Sequence, residues 1–205
     1  MKKLNLGCGS QVVDRWINVD YALGARIAKY PLVSFLINRI KLFNLSWDKR
    51  IFIHDLTCEL PWADEEVDII YTSHTLEHLS KQDGYYLLSE SFRILRNGGV
   101  LRVVVPDLNI AVDQYNNGEI LAEDFLEHLG VKLSKARGLR GIIKKLNEYP
   151  HQCMYNVDRL MAILERIGFV VHEMAYAESR IDDIEEIELK GRTKDAIVLE
   201  AIKVV

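Results

Sequence analysis

The sequence contains seven short apolar segments in which hydrophobic side chains occupy neighbouring positions as well as alternate ones. They are KKLNLG (2–7), WINVDY (16–21), RIFIHDL (50–56), VDIIYTSH (67–74), VLRVVVPDL (100–108), FVVHEMAY (169–176) and DAIVLEAIKVV (195–205). Such runs predict β-strands, and strands with apolar side chains on both faces are typical of the centre of a parallel sheet. This constraint requires helices to cover both faces of the sheet.

Two amphipathic patterns between these segments predict helices. Residues 83–99 repeat apolar side chains at helical spacing and end at a Gly-Gly pair, whereas residues 156–168 begin at Asn156 and end at Gly168. Asparagine and glycine are favoured at these two helix ends. The alternation of strands and helices predicts an α/β fold, with a doubly wound, mostly parallel seven-stranded sheet of the Rossmann-like type and helices on both faces.

The chain is expected to form one domain over residues 1–205. Its hydrophobic content of 49% is enough to bury a full core. Three cysteines without a CxxC pair indicate neither a disulfide framework nor a structural zinc site, and they favour a reducing cytoplasm. The apolar run before Cys8 is shorter than the roughly 7–15 residues of a secretory signal. No stretch reaches the roughly 18 apolar residues of a membrane span, so a soluble, cytoplasmic protein is expected.

Polar residues follow five of the predicted strands at their carboxyl ends. They are Gly7-Cys8-Gly9-Ser10 after the first strand, Asp20 in the second, His54-Asp55 in the third, Ser73-His74 in the fourth and Asp107 after the fifth. Ligands of open α/β sheets bind at this edge. The sequence therefore predicts a binding site where these five strand ends meet.

The first of these features fit a nucleoside. Gly7 and Gly9 let the backbone turn sharply and come close to a ligand, and the carboxylate of Asp20 can accept hydrogen bonds from ribose hydroxyls. The Asp55-Leu56 pair is a candidate for the amino group and ring of an adenine. A dinucleotide is not favoured, because Val12 occupies the third glycine position of the G-x-G-x-x-G fingerprint.

The motifs LNLGCGS, INVD, HDL, VDIIYTSHTLEHL and FRILRNGGVLRVVVPDL, in this order over residues 3–108, resemble those of class I S-adenosylmethionine-dependent methyltransferases. HQCMYNVDRLMAILERIGF extends the resemblance, which is greatest to a small bacterial subgroup associated with surface-polysaccharide biosynthesis. The resemblance implies S-adenosylmethionine as the cofactor, with methionine at the glycine turn, ribose on Asp20 and adenine near Asp55. The implied cofactor site consists of Asn5, Gly7, Cys8, Gly9, Asp20, Tyr21, Asp55, Leu56, Ser73 and His74.

The chain departs from the broader class in its first motif. Asn5 stands where the class usually has an acid, and Gln11 replaces the third glycine. Only ten residues separate Gly9 from Asp20, which is too few for the usual first helix. The dipole of that helix is therefore not expected to contribute to cofactor binding.

One further motif allows a different chemistry. Residues 74–78, HTLEH, fit the H-x-x-E-H pattern of zinc peptidases, in which His74 and His78 would hold zinc and Glu77 would act as the base. The pattern falls at the end of a buried strand, and short motifs also match by chance. We therefore expect Ser73 and His74 to line the cofactor loop without a metal ion, and a zinc hydrolase is the least favoured alternative.

Three residues are candidates for the acceptor side of the site. Methyl transfer from a sulfonium requires an aligned nucleophile and, for a hydroxyl, removal of its proton. Asp107 and His151 are the candidate bases, and Tyr155 is a candidate for the acceptor pocket. Ordinary structural roles for His151 and Tyr155 fit the sequence equally well.

Residues 21–47 and 128–147 contain basic side chains and no acids. They overlap two helical segments, at about 24–50 and 109–150, that the fold would insert near the acceptor site. Their charge fits solvated helix faces or a cationic lid over an anionic acceptor. Peripheral contact of residues 31–43 with a membrane surface is a less favoured alternative.

The sequence therefore predicts an S-adenosylmethionine-dependent methyltransferase that O-methylates a sugar of a cell-surface glycan or its precursor, or another small anionic acceptor. The alternative is a protein that binds the cofactor without catalysis, because no motif marks the transfer chemistry. Nucleic acid is not expected as a partner, since the formal net charge is -4 and no RNA-binding domain is appended.

Overall fold

The computed structural model describes residues 1–30, 47–131 and 150–204. The strands are β1 Lys3–Leu6, β2 Ile17–Asp20, β3 Phe52–Ile53, β4 Val67–Ser73, β5 Leu95–Pro106, β6 Phe169–Glu173 and β7 Ala196–Lys203. The described helices are α1 Leu23–Ala28, α2 Lys81–Ile94, α3 Leu108–Asn116, α4 Ala122–His128, α5 Val157–Ile167 and α6 Lys190–Thr193, together with 3-10 turns at Leu76–His78 and Ile184–Glu186.

The seven strands form one sheet in the order β3-β2-β1-β4-β5-β7-β6. Strands β1 to β5 are parallel to one another, whereas β7 is antiparallel to both β5 and β6. The prediction of an α/β fold with a mostly parallel seven-stranded sheet is confirmed. Because the five parallel strands run in one direction, their carboxyl ends meet at the same edge of the sheet.

Side chains of the central strands are buried on both faces. Ile70 of β4 and Leu101 of β5 belong to a cluster that includes Leu88 of α2 and Leu164 of α5. Their chain neighbours point to the opposite face, where Tyr71, Val100 and Val104 pack against Ile181, Ile184 and Ile187. One face is thus covered by two α-helices, and the other by the segment that contains the second 3-10 turn.

The helix boundaries follow from local capping. Helix α5 begins after Asn156 and ends before Gly168, as predicted. The side chain of Asn156 accepts a hydrogen bond from the N–H of Arg159 at 3.0 Å, and Gly168 has φ of +122°. Helix α2 ends at Ile94, before the predicted Gly-Gly pair, because Leu95 already pairs with Val67 in the sheet. Strand β3 is also shorter than predicted, with only two paired residues.

Much of the two basic segments lies outside the described residues. The residues outside the described ranges include positions 31–46 and 132–149. The first of these ranges contains the segment considered for membrane contact. Arg26 and Lys29 are described on and after α1. No helix within the described ranges is long and apolar enough to cross a membrane.

A buried ionic cluster holds the segment that contains the second 3-10 turn on the sheet. Arg102 in the middle of β5 has no exposed surface, and its guanidinium donates to both carboxylate oxygens of Glu188, at 2.6 and 2.8 Å. It also donates to Glu200 of β7 at 3.0 Å. Glu200 accepts further hydrogen bonds from Ser179 and the N–H of Arg180. The cluster therefore joins β5, β7 and the segment that covers the second face.

Replacing Arg102 by methionine is expected to lower the free energy of unfolding by about 3–5 kcal/mol. The change leaves two buried carboxylates without their cation, which is far more costly than losing a surface pair. Arg96→Met is the matched control, because Arg96 is 55% exposed and pairs with Asp68 at the surface, so its loss should cost below about 1 kcal/mol. Urea unfolding of the two variants measures both values, and equal stabilities would contradict this role of the cluster.

Candidate functional site

A glycine turn connects the end of β1 with the end of β2. The N–H groups of Gly7 and Cys8 both donate to the carbonyl of Val19, at 2.9 and 3.1 Å. Gly7 has φ of +72°, and a Cβ there would overlap the side chain of Thr75. Gly9 has φ of +56°, but a Cβ there would meet nothing within 4 Å. Gly7 is therefore packed against the turn after β4, whereas Gly9 borders open space at the sheet edge.

Asp20 closes this turn from the end of β2. Its Oδ2 accepts a hydrogen bond from the N–H of Gly9 at 2.7 Å, and its Oδ1 accepts one from the N–H of Ala22 at 2.7 Å. The residue is only partly buried, and each carboxylate oxygen can accept a second hydrogen bond. Asp20 can thus shape the turn and still receive donors from a ligand. The first of these roles is not evident from the sequence motif.

Asn5 lies beneath the turn. Its side chain is 3% exposed and donates to the carbonyl of Gln11 at 3.3 Å and to Oδ1 of Asn18 at 3.0 Å. Asn18 in turn accepts from the N–H of Val13 and donates to the carbonyls of Val13 and Trp16. The two amides brace the short connection between β1 and β2, which contains no helix.

Cys8 and Tyr21 occupy opposite environments next to the turn. Cys8 is 3% exposed and packs with Ala25 and Ile51. Burial, with a smaller contribution from the charge of Asp20, raises the pKa of the Cys8 thiol to about 12. Cys8 therefore stays a neutral thiol. Tyr21 is exposed, and the guanidinium of Arg26 lies 4.7 Å from the centre of its ring.

The end of β3 adds a second carboxylate. Asp55 accepts hydrogen bonds from the N–H and the hydroxyl of Thr57, at 3.0 and 2.8 Å. Leu56 is 7% exposed and belongs to the main core. The N–H of His54 donates to the carbonyl of Asp20 at 3.3 Å, which places the ends of β2 and β3 side by side. Oxygens at these two ends can face one ligand.

His74 lies in an unusual position at the end of β4. It has φ of +52°, a left-handed conformation that is strained for residues other than glycine and is frequent at functional sites. Its Nδ1 is 3.2 Å from Oε1 of Glu77, and its Nε2 is 2.8 Å from the carbonyl of Arg192. Burial lowers the pKa of His74, but these two partners outweigh it and raise the pKa above its usual value. Both nitrogens face acceptors, which fits the imidazolium form.

The residues of the HTLEH motif do not have the arrangement of a zinc peptidase. Leu76–His78 forms a 3-10 turn rather than an α-helix, and Glu77 pairs with His74. Among the described residues, the group of three metal-ligand side chains whose ligand atoms all lie within 4.8 Å of one another is Glu77, His78 and His151, and this group does not include His74. The pairing of His74 with His78 that the motif would require is therefore not formed.

The three acceptor-side candidates lie in different environments. Asp107 caps α3, and its Oδ1 accepts from the N–H of Asn109 at 2.9 Å. Tyr155 is 4% exposed, belongs to the main core, and has a pKa that burial raises. His151 is partly buried, and its ring centre lies 5.0 Å from that of His78. This position brings His151 to the turn after β4, whereas Tyr155 has the surroundings of a packing residue.

Part of the chain is similar in sequence to known methyltransferases. Residues 4–103, just under half of the chain, match the family model described as "Methyltransferase domain". A curated protein from Mycolicibacterium smegmatis, described as a probable S-adenosylmethionine-dependent methyltransferase, is 32% identical over 115 residues. The match covers 51% of this chain, and it spans only 37% of the length of that relative.

Solved structures share the fold over the whole chain. An S-adenosylmethionine-dependent methyltransferase from Methanosarcina mazei has a TM-score of 0.55 at 17% identity, and the YcgJ protein from Bacillus subtilis has a TM-score of 0.53 at 15% identity. Each comparison covers 100% of this chain and 92% of the other chain. The sheet is therefore that of the Rossmann-like methyltransferases.

Alanine substitutions at the two glycines of the turn should have different effects on stability. Gly7→Ala is expected to cost about 2–5 kcal/mol, because the new methyl group overlaps Thr75 in addition to the strain of a positive φ. Gly9→Ala meets open space and should cost only the backbone strain of about 1–2 kcal/mol. Thermal and urea unfolding compare the two, and a larger loss for Gly9→Ala would contradict the described geometry.

Proposed function

We propose that the protein is an S-adenosylmethionine-dependent methyltransferase that transfers the methyl group of this cofactor to an oxygen atom of a sugar or another small anionic acceptor. The match of residues 4–103 to the methyltransferase family model supports this proposal. In this proposal the acceptor is a molecule of surface-polysaccharide biosynthesis. Residues 1–205 form one catalytic domain, and the segments at about 24–50 and 109–150 lie near the acceptor.

The observation that carries the proposal is the open Gly9 beside the carboxylate of Asp20. The absence of a Cβ leaves room for a ligand at the backbone, and the carboxylate lies 2.7 Å from the same N–H group. A ribose placed there can donate its hydroxyls to the remaining lone pairs of Asp20. Methionine then lies along the glycine turn, and adenine lies toward Asp55 at the end of the next strand.

The end of β4 fits the opposite side of the cofactor. Ser73 is buried at the strand end, and His74 follows it in a strained conformation that two hydrogen-bond partners hold. An imidazolium at this position adds positive charge near the carboxylate of the methionine moiety. In our proposal Ser73 and His74 flank the cofactor, whereas buried Asn5 and Cys8 support the turn from below.

The acceptor lies beyond β4 and β5 in this proposal. Transfer is an in-line displacement in which the acceptor oxygen attacks the methyl carbon and the bond to sulfur breaks. Asp107 at the end of β5 and His151 near the β4 turn are the candidate bases for a hydroxyl proton. The basic segments at 21–47 and 128–147 support an anionic acceptor.

A protein that binds the cofactor without transferring its methyl group is the second candidate. It is favoured by one observation, which is that the carboxylate of Asp107 is already engaged as a helix cap. A cap can still accept a proton, so this observation does not outweigh the position of His151 at the same edge. The two candidates differ in turnover and agree in cofactor binding.

Asp20→Asn is expected to weaken S-adenosylmethionine binding by about 10- to 100-fold. The amide removes the negative charge and one of the two acceptor atoms, and hydrogen bonds to charged groups contribute about 1.5–3 kcal/mol. Isothermal titration calorimetry with S-adenosylmethionine and S-adenosylhomocysteine measures the change. Circular dichroism checks that the turn still folds, since Asp20 also holds Gly9.

Asp113→Asn is the matched control for this titration. Asp113 is an exposed acid on α3, so the same change of charge should leave cofactor affinity within about twofold. If the wild type binds neither ligand, or if Asp20→Asn binds as tightly as the wild type, the assigned cofactor site is wrong.

A screen of nucleotide sugars and phosphorylated glycans should show methyl uptake by the wild type. Neutral sugars of the same size should be poorer acceptors, because the proposal assigns an anionic acceptor to the basic segments. The assay follows radiolabelled methyl transfer and S-adenosylhomocysteine release. Cofactor binding without turnover on any acceptor of the screen would favour the binding protein over the enzyme.

A further inference from the structure

A buried carboxylate lies at the turn after β4 without a full set of partners. Glu77 is 1% exposed, and its Oε1 faces Nδ1 of His74 at 3.2 Å. Its Oε2 has no hydrogen-bond partner among the residues that the structure describes. An ionised carboxylate that is removed from water requires positive charge or hydrogen-bond donors at both oxygens. The second oxygen therefore marks a place for a further positive ligand.

Two histidines converge on this carboxylate. One ligand atom each from Glu77, His78 and His151 lies within 4.8 Å of the others. The three come from two segments that are far apart in sequence. The N–H groups of Gln152 and Cys153 donate to the carbonyl of Glu77 at 2.7 and 3.2 Å, so the backbone itself fixes the distance between the segments.

Two further contacts hold His78 and His151 close to each other. The amide of Gln152 donates to the carbonyl of His78 at 2.7 Å, and a Cβ on Gly130 would lie 2.8 Å from the backbone nitrogen of His151. Gly130 has φ of +76°, and its missing side chain lets the chain pass close to His151. His78 and His151 are only partly buried, so the group has an open side toward solvent.

We propose that Glu77, His78 and His151 bind a divalent transition-metal ion, with Zn²⁺ as the best match. Two imidazoles and one carboxylate are the protein ligands of many catalytic zinc sites, which keep a position for an exogenous ligand. Bonds of about 2.1 Å require ligand atoms about 3.4 Å apart, so small side-chain rotations from the present separations are sufficient. His74 serves as the outer partner that orients the carboxylate.

The ion has a role in transfer that rests on the proposed function. An acceptor hydroxyl that binds the open position becomes more acidic and releases its proton to solvent. The resulting oxygen attacks the methyl carbon, a C–O bond forms, and the C–S bond breaks with its electron pair on sulfur. His151 is then a metal ligand and not a general base, which leaves Asp107 as the candidate base.

Metal binding is tested without cofactor or acceptor. The full chain is stripped with a chelator, desalted and titrated with Zn²⁺, Mn²⁺ and Mg²⁺ by calorimetry, and the zinc content of dialysed samples is measured by mass spectrometry. We expect one Zn²⁺ per chain, and His78→Ala and His151→Ala should each weaken its binding by at least about 100-fold, more than the loss of an outer partner.

His172→Ala is the matched control, because His172 lies on β6, outside the group, and its removal should leave Zn²⁺ affinity unchanged. Zinc held by cysteines would survive both histidine changes, and that result would overturn the proposal, as would the absence of a stoichiometric ion. Circular dichroism verifies the fold of each variant, and Glu77→Gln provides a third ligand change if one histidine variant is unfolded.

The same samples separate this inference from the proposed function. Titration with S-adenosylmethionine should give wild-type affinity for His151→Ala, because the ion lies on the acceptor side. A protein that binds Zn²⁺ but no cofactor would refute the proposed function and leave the metal site standing. A protein that binds the cofactor but no metal would refute the metal site and leave the proposed function standing.

Discussion

The site depends on the direct link between the ends of β1 and β2. The N–H groups of Gly7 and Cys8 reach the carbonyl of Val19, and the carboxylate of Asp20 reaches back to the N–H of Gly9. Only ten residues connect the two strands, so the polar groups must be satisfied by these contacts rather than by a helix. The same contacts leave Gly9 bordering open space and set the position of Asp20 at the sheet edge.

This link limits the ways in which the proposed nucleoside cofactor could bind. A helix after the glycine turn would offer the partial positive charge of its N-terminus to a ligand. Here the ten-residue connection is braced by the buried amides of Asn5 and Asn18. In the proposed function, cofactor binding at this edge therefore comes from the open backbone at Gly9 and from side chains at the ends of the neighbouring strands, above all Asp20.

The succession of strands along the chain and the common edge of their polar ends follow from local sequence, whereas the roles of individual side chains do not. Apolar runs predict buried parallel strands, and the polar residues at their ends share one edge by geometry. The end of α2 and the short β3 depend on which residues pair across the sheet. Tyr155 and Asn5 are both predicted site residues, and their burial depends on tertiary packing that the local sequence does not indicate. The approach of His151 to Glu77 depends on contacts between segments more than 70 positions apart, which no local pattern encodes.

Buried glutamates occur in two different environments, at Arg102 and at the turn after β4. The guanidinium of Arg102 donates to Glu188, to Glu200 and to the backbone carbonyls of Ala175 and Glu178, and the side chains of Arg102, Glu188 and Glu200 are inaccessible to solvent. Such a closed cluster can only contribute to folding. Glu77 is equally buried, but only its Oε1 has a charged partner, and two partly exposed histidines stand next to it. A buried carboxylate with an incomplete set of partners costs stability, and the metal ion that we propose would supply the missing positive charge.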